Sequence, residues 1–245
     1  MDITEKSVIG ELVAQDYRTA AVFSKYGIDF CCKGNQSIKD VSEKKDLKAD
    51  DVVTDLIDTT TSMVNTVIDY KSWPLDLLAD YIEKKHHRYV AERTPVIQKY
   101  LAKISEVHGK AHPEVVTVTE EFNECASALA AHMKKEELIL FPFIRKMVVS
   151  DSMEIPSSKF GTVQNPIDMM KHEHEVEGDR FRKIAELSNN YTPPADACNT
   201  FMVTYSLLKE FEQDLHLHIH LENNILFPKA IIMESKFSKN SCQIH

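Results

Sequence analysis

Two stretches of this chain are copies of one pattern. His132-Met133-Lys134-Lys135-Glu136 is followed by Leu140-Phe141-Pro142, and His218-Ile219-His220-Leu221-Glu222 is followed by Leu226-Phe227-Pro228. Histidine, glutamate, phenylalanine and proline recur at a constant offset of 86 positions (132 to 218, 136 to 222, 141 to 227, 142 to 228). Two further histidines, His87 and His174, stand 87 positions apart (174 − 87). The chain therefore reads as two related helical hairpins, each with one lone histidine and one His-x-x-x-Glu.

On a helix, residues four apart lie about 40° from one another, on one face. The face of His132 and Glu136 also carries Leu129, Ile139, Leu140 and Phe143; that of His218 and Glu222 carries Phe211, Leu215, Ile225 and Leu226. Both carboxylates are thus predicted to point into an apolar interior. An ionised glutamate is costly there unless a positive charge neutralises it. Two of them, each with an imidazole one turn away, predict a metal centre. Pairing with lysine is the plainer account of a glutamate, and it suits Glu137, beside Lys134 and Lys135, better than Glu136.

Four histidines and two glutamates exceed a closed tetrahedral zinc site. They suit two metals with the carboxylates bridging. Mixed imidazole and carboxylate donors favour iron, with manganese the alternative. Ferritin-like bundles place Glu-x-x-His on two helices and lone glutamates on the others; the richer histidine set here points to a hemerythrin-like arrangement. His86 competes with His87, and their side chains differ by about 100° in direction. His87 is preferred because it shares a face with Val90, Ala91 and Thr94. His174 is preferred to His172 because it aligns with Ile167, Met170, Gly178 and Phe181. His216 and His220 lie on the side away from His218 and are expected to be solvated, or to support ligands at most. His108, His112 and His245 read as loop or terminus residues.

The fold class expected is all-α. Only 6 glycines and few β-branched runs argue against a sandwich or barrel. Ser72-Trp73-Pro74 opens a first long helix, with Ser72 as its cap and Pro95 as a kink before Gly109. A second follows His112-Pro113 to about Val149, and residues 150–164 read as a loop. A third opens at Asn165-Pro166 and ends near Asn190; a fourth runs from about Ala195 to Ser235. Four amphipathic helices over residues 72–236 predict a four-helix bundle, with a tail at 237–245. Ahead of it, residues 1–68 read as a small, separate helical domain. Its stripes, Val8, Ile9, Leu12, Val13 and Ala20 to Phe23, precede a turn-rich stretch holding Cys31 and Cys32.

Net charge of −9 with no basic cluster argues against nucleic acid as a partner. No apolar run approaches the roughly 20 residues that span a bilayer, and the first residues lack the apolar core of a signal peptide. Five cysteines, two of them adjacent, do not make a disulfide framework, so a reduced, cytoplasmic setting is expected. Cys31 and Cys32, in an exposed turn, could bind iron, exchange with a thiol, dock a partner, or simply cap the turn. Cys125, Cys198 and Cys242 are expected to be inert.

Nearly all of the chain resembles the RIC (repair of iron centres) di-iron proteins. Tyr26-Gly27-Ile28-Asp29-Phe30-Cys31-Cys32-Lys33-Gly34 resembles that family's short leading domain. The two His-x-x-x-Glu segments, the second continuing Asn223-Asn224-Ile225-Leu226-Phe227-Pro228, resemble its hallmarks. The resemblance implies a hemerythrin-like bundle and two non-haem iron ions, oxo- and carboxylate-bridged. It implies His87, His132, Glu136, His174, His218 and Glu222 as ligands, with the glutamates bridging; Cys31 and Cys32 stand beside them as candidate accessory thiols. It further implies a stress-response protein that repairs iron–sulfur clusters damaged by nitric oxide or oxidants. Iron supply to damaged or apo iron–sulfur proteins is the implied activity, rather than a standard enzyme reaction. A binder or sensor of dioxygen or nitric oxide, and an oxidoreductase acting on nitric oxide or peroxide, are the alternatives. A homodimer joined through the leading unit is implied by analogy alone. The departures are His86, His172, His216, His220 and a longer tail after Ile232.

Overall fold

The computed structural model describes residues 3–61, 68–150 and 158–241, with no side chains described from 238 onward. Cys242, His245 and residues 151–157 of the expected loop at 150–164 therefore lie outside the described residues. The leading segment folds into four short helices: α1 (Ile9–Gln15), α2 (Thr19–Lys25), α3 (Ile38–Lys44) and α4 (Ala49–Thr61). Ser37 and Asp40 close a capping box at the start of α3, which satisfies two of its free backbone donors.

Four rods follow. The first joins α5 (Leu75–Tyr81), a π-turn at Ile82–His87 and α6 (Arg88–His108). The second joins α7 (Pro113–Lys135), a π-turn at Glu136–Leu140 and α8 (Phe141–Val149). The third is α9 (Gln164–Leu187). The fourth joins α10 (Asn199–Leu221), a π-turn at Glu222–Leu226 and α11 (Phe227–Ser241). Rod one packs along rods two and four, and rod two along rod three. The described residues contain no named β-strand, only one isolated bridge between Val8 and Ser37.

Several boundaries differ from expectation. Ser72 does not cap α5; it ends a short 3-10 turn capped by Asp69, and α5 starts after Pro74 with no side-chain cap. Pro95 lies inside the continuous helix α6, and the irregularity of this rod falls instead at Ile82–His87. The fourth rod runs through the expected tail to Ser241.

The π-turns have a cause in the repeat. A proline at position 142 or 228 has no N–H to give, and its ring would clash with the carbonyl four residues back. The backbone widens just before it: Phe141 N–H reaches Glu136 O and Phe227 N–H reaches Glu222 O, five residues back. The extra residue rotates the following face. Leu140 is buried while Ile139, expected on the inner face, is half exposed. No proline accounts for the first π-turn.

Two apolar clusters fill the interior. One holds Val90, Leu129, Met133, Phe181, Leu215 and Ile219; the other holds Ile82, Leu140, Met170, Ile225 and Leu226. Along every rod the candidate ligand falls between a residue of one cluster and a residue of the other. The first cluster also contains Ile9, Leu12, Phe23 and Phe30 of the leading segment. The leading helices thus share a core with the bundle.

Candidate metal centre

His87 ends the first π-turn, Glu136 and Glu222 begin the other two, and His174 sits on the uninterrupted α9. All six candidate side chains are buried, Glu136 and Glu222 completely. Their donor atoms form two overlapping groups. His87, Glu136, His218 and Glu222 lie within 4.8 Å of one another, and so do His132, Glu136, His174 and Glu222. The two glutamates belong to both.

Every histidine turns Nε2 inward. Glu136 Oε2 is 3.4 Å from His87 Nε2 and 3.3 Å from His132 Nε2. Glu222 spreads its oxygens, Oε1 at 3.2 Å from His218 Nε2 and Oε2 at 3.1 Å from His174 Nε2. His132 Nε2 and His174 Nε2 are 3.0 Å apart. Two nitrogens at that separation, each about 2.1 Å from one ion, would subtend about 90° there. Both oxygens of Glu136, Oε2 of Glu222 and Nε2 of His87 have no hydrogen-bond partner among the described residues. Buried polar atoms without partners are rare, and these converge on two points between four imidazoles. The donor set fits two cations better than it fits protein hydrogen bonding.

Electrostatics say the same. Burial and Glu222 push the Glu136 carboxyl up, yet His132 and His87 hold it below its ordinary value. Burial opposes charge on Glu222, yet His218 and His174 keep it well below. Burial opposes charge on His132 as well, but Glu136 and Glu173 outweigh it and raise its pKa to about 10. The pocket is built to hold negative carboxylates with positive charge beside them.

Residues 79–230 match the hemerythrin HHE cation binding domain, and residues 5–60 match a domain of unknown function (DUF542). The iron-sulfur cluster repair protein YtfE of Escherichia coli O81 (strain ED1a) is 33% identical over 226 residues, 92% of this chain and 97% of that protein. The protein of the same name from Escherichia fergusonii is 32% identical over the same shares. The chain belongs to the RIC family. The match to a cation binding domain and the buried histidine and glutamate clusters point together to a metal centre.

Around the centre of this RIC-family chain lie partners that periodicity does not reveal. His132 Nδ1 is 2.8 Å from Glu173 Oε2, and Lys135 holds the other oxygen of Glu173. His87 Nδ1 is 2.8 Å from Glu137 Oε1, so Glu137 pairs with an imidazole and not with the lysines expected. His174 Nδ1 is 3.0 Å from Asn223 Oδ1. These contacts link different rods or a π-turn, which is why spacing along one helix does not show them.

The rival histidines separate. His172 is exposed and His174 buried. His86 is as buried as His87, but its Nδ1 faces Asp214 at 3.0 Å and its ring stacks on His218. His220, expected in solvent, is buried, with Nδ1 3.0 Å from Asn224 Nδ2. His216 is half-buried against Phe30. The leading helices cover the side of rod four that a bare bundle would leave wet.

The cysteine pair is not in an exposed turn. Cys31 is buried and Cys32 half-buried, both are free thiols, and their Sγ atoms are 3.8 Å apart. Asp29 Oδ1 accepts from the backbone N–H of both, and Cys32 Sγ donates to the carbonyl of His174 at 3.3 Å. Asp29, Cys31 and Cys32 form a third group of potential donors. Cys198, expected to be inert, is exposed at the start of α10. Backbone N–H groups at Phe201 and Thr200 and the nearby His108 lower its pKa to about 7, a thiol poised to ionise at neutral pH.

Proposed function

We propose that this chain holds two iron ions between its four rods and supplies iron to damaged iron–sulfur clusters. His87 and His218 would take one ion, His132 and His174 the other, with Glu136 and Glu222 bridging. The observation that carries this reading is the convergence of partnerless, fully buried carboxylate oxygens on four inward Nε2 atoms. A pair of bound cations supplies the positive charge that two buried carboxylates need. The relatives named for iron–sulfur cluster repair support the destination of the iron: iron–sulfur proteins that have lost or damaged their clusters.

The residues suit a donor. Carboxylate bridges are displaced by protons or by competing ligands, since metal binding requires deprotonated donors. Glu173, Glu137 and Asn223 orient the imidazoles, and the apolar clusters at both ends keep bulk water out. The separate family matches also support a leading unit over residues 1–68 and a bundle over 72–236. Among the described residues, no helix is long and apolar enough to cross a membrane.

Iron quantification of the purified protein is expected to give about two ions per chain, in line with two donor groups. Glu136→Ala and Glu222→Ala should each abolish stoichiometric loading, because each carboxylate serves both groups. The loaded wild-type protein should then reconstitute an apo-cluster acceptor supplied with sulfide. Reversible binding of nitric oxide or dioxygen, with both ions retained and none passed to the acceptor, would overturn the donor reading in favour of a carrier or sensor.

A further inference from the structure

The two metal positions are not equivalent, and their outer hydrogen bonds differ in a way that ranks them. A neutral imidazole that gives Nε2 to a cation must carry its proton on Nδ1, and that N–H needs an acceptor. At the His132/His174 position both acceptors are present and tied down. Glu173 takes His132 Nδ1 and is pinned by Lys135; Asn223 takes His174 Nδ1 while its Nδ2 donates to the Cys31 carbonyl. At the His87/His218 position only one is present. Glu137 takes His87 Nδ1 from a partly exposed place on the rod, with its side chain 35% accessible. His218 Nδ1 has no hydrogen-bond partner among the described residues and is fully buried. The His86 ring stacks on His218 with centroids 5.7 Å apart, which restrains the ring plane but gives the N–H no acceptor.

Access differs in the same direction. A surface cavity of about 490 Å³ between rods one and two has His87 and Glu137 on its lining, with Glu83 and Thr94 beside them. Thr94 Oγ1 has no hydrogen-bond partner among the described residues. On the other flank, the Cys31–Cys32 turn lies against α9 through the Cys32 contact to the His174 carbonyl, and the cavity of about 370 Å³ beside it reaches Asn223 but neither His132 nor His174.

We propose that the ion between His87 and His218 is the exchangeable one, bound more weakly and released first, through the cavity lined by His87 and Glu137, while the ion between His132 and His174 stays. This rests on the two-ion reading above and names which iron is the cargo.

The full-length metal-free protein is titrated with Mn²⁺ and crystallised with one equivalent. Loss of a single outer partner typically weakens a metal site by about 10–100-fold, so the second equivalent is expected to bind at least about tenfold more weakly than the first. Anomalous density from the one-equivalent crystal is expected to be stronger between His132 and His174 than between His87 and His218. Glu137→Ala should widen the gap between the two steps, and Glu173→Ala should narrow it. A first ion found between His87 and His218, or equal affinities, overturns the ranking and leaves the two-ion reading standing. Binding of no ion, or of one alone, sinks both. Two ranked ions with no transfer to an apo-cluster acceptor uphold the ranking and sink the donor function.

Discussion

At the scale of single residues, the centre is a set of charges that burial would forbid if any were alone. His132 shows how the balance works. Its folded pKa of about 10 lies above the ordinary 6.5, because Glu136 and Glu173 outweigh desolvation. A raised histidine pKa stabilises the fold fully below the unfolded value and loses that contribution as pH climbs through the folded value. Glu222, held well below its ordinary range, contributes above that range and loses its contribution in acid. The metal-free protein should therefore lose stability between about pH 6.5 and pH 10, on the order of 5 kcal/mol for His132. Urea midpoints across that range test it, and a flat profile would contradict the charge balance. A bound cation takes the place of the proton, so the metal-loaded protein should show a shallower decline. That His132 shares a buried face with Glu136, and His218 with Glu222, was legible in the sequence, because helical period alone brings each pair together. Glu173, Glu137 and Asn223 were not, since their partners sit on other rods or in a π-turn.

At the scale of elements, the π-turns decide which face of each rod looks inward. Uninterrupted α-helix through Glu136 would carry Ile139 toward the core; the extra residue sends Leu140, Phe141 and Phe143 there instead. Leu138 is 73% exposed within that turn. Its side chain is dispensable, and Leu138→Ala should change stability by less than about 0.5 kcal/mol. An insertion should behave quite differently. One alanine added after Leu138 gives the turn a second extra residue, rotates α8 by about 100° relative to α7 and turns Phe141 and Phe143 off the core, a loss on the order of 5 kcal/mol. Denaturant unfolding of the two variants makes the comparison, and equal stabilities would show that the π-turn sets no register. The Phe-Pro repeat announced that something recurs here. Its effect on register depends on backbone hydrogen bonds that a side-chain pattern does not display.

At the scale of the whole molecule, the leading helices are part of the bundle's wall. Gly10 of α1 lies where a Cβ would sit 2.6 Å from Asn224 Oδ1 and 3.0 Å from the Gly34 carbonyl. Asn224 in turn donates to the Phe30 carbonyl and meets His220. Only a residue without a side chain fits between α1, the cysteine turn and rod four. Gly10→Ala should push Asn224 aside, cost about 1–3 kcal/mol of stability and loosen the cover over His220. Hydrogen exchange confined to residues 28–36 and the start of the π-turn of rod four would report it; unchanged protection there would show that the close approach does not matter.

The sequence by itself determined the helical class, the two-hairpin repeat and the buried His and Glu pairs, because a period of 3.6 residues fixes which neighbours along one rod share a face. Only the tertiary structure decided what lies between rods. It set the acceptors behind the imidazoles, buried Cys31 and His220 beneath the leading helices, and left His218 Nδ1 without a partner among the described residues. Those outcomes depend on how separate segments approach in space, and no spacing along a single helix encodes that distance.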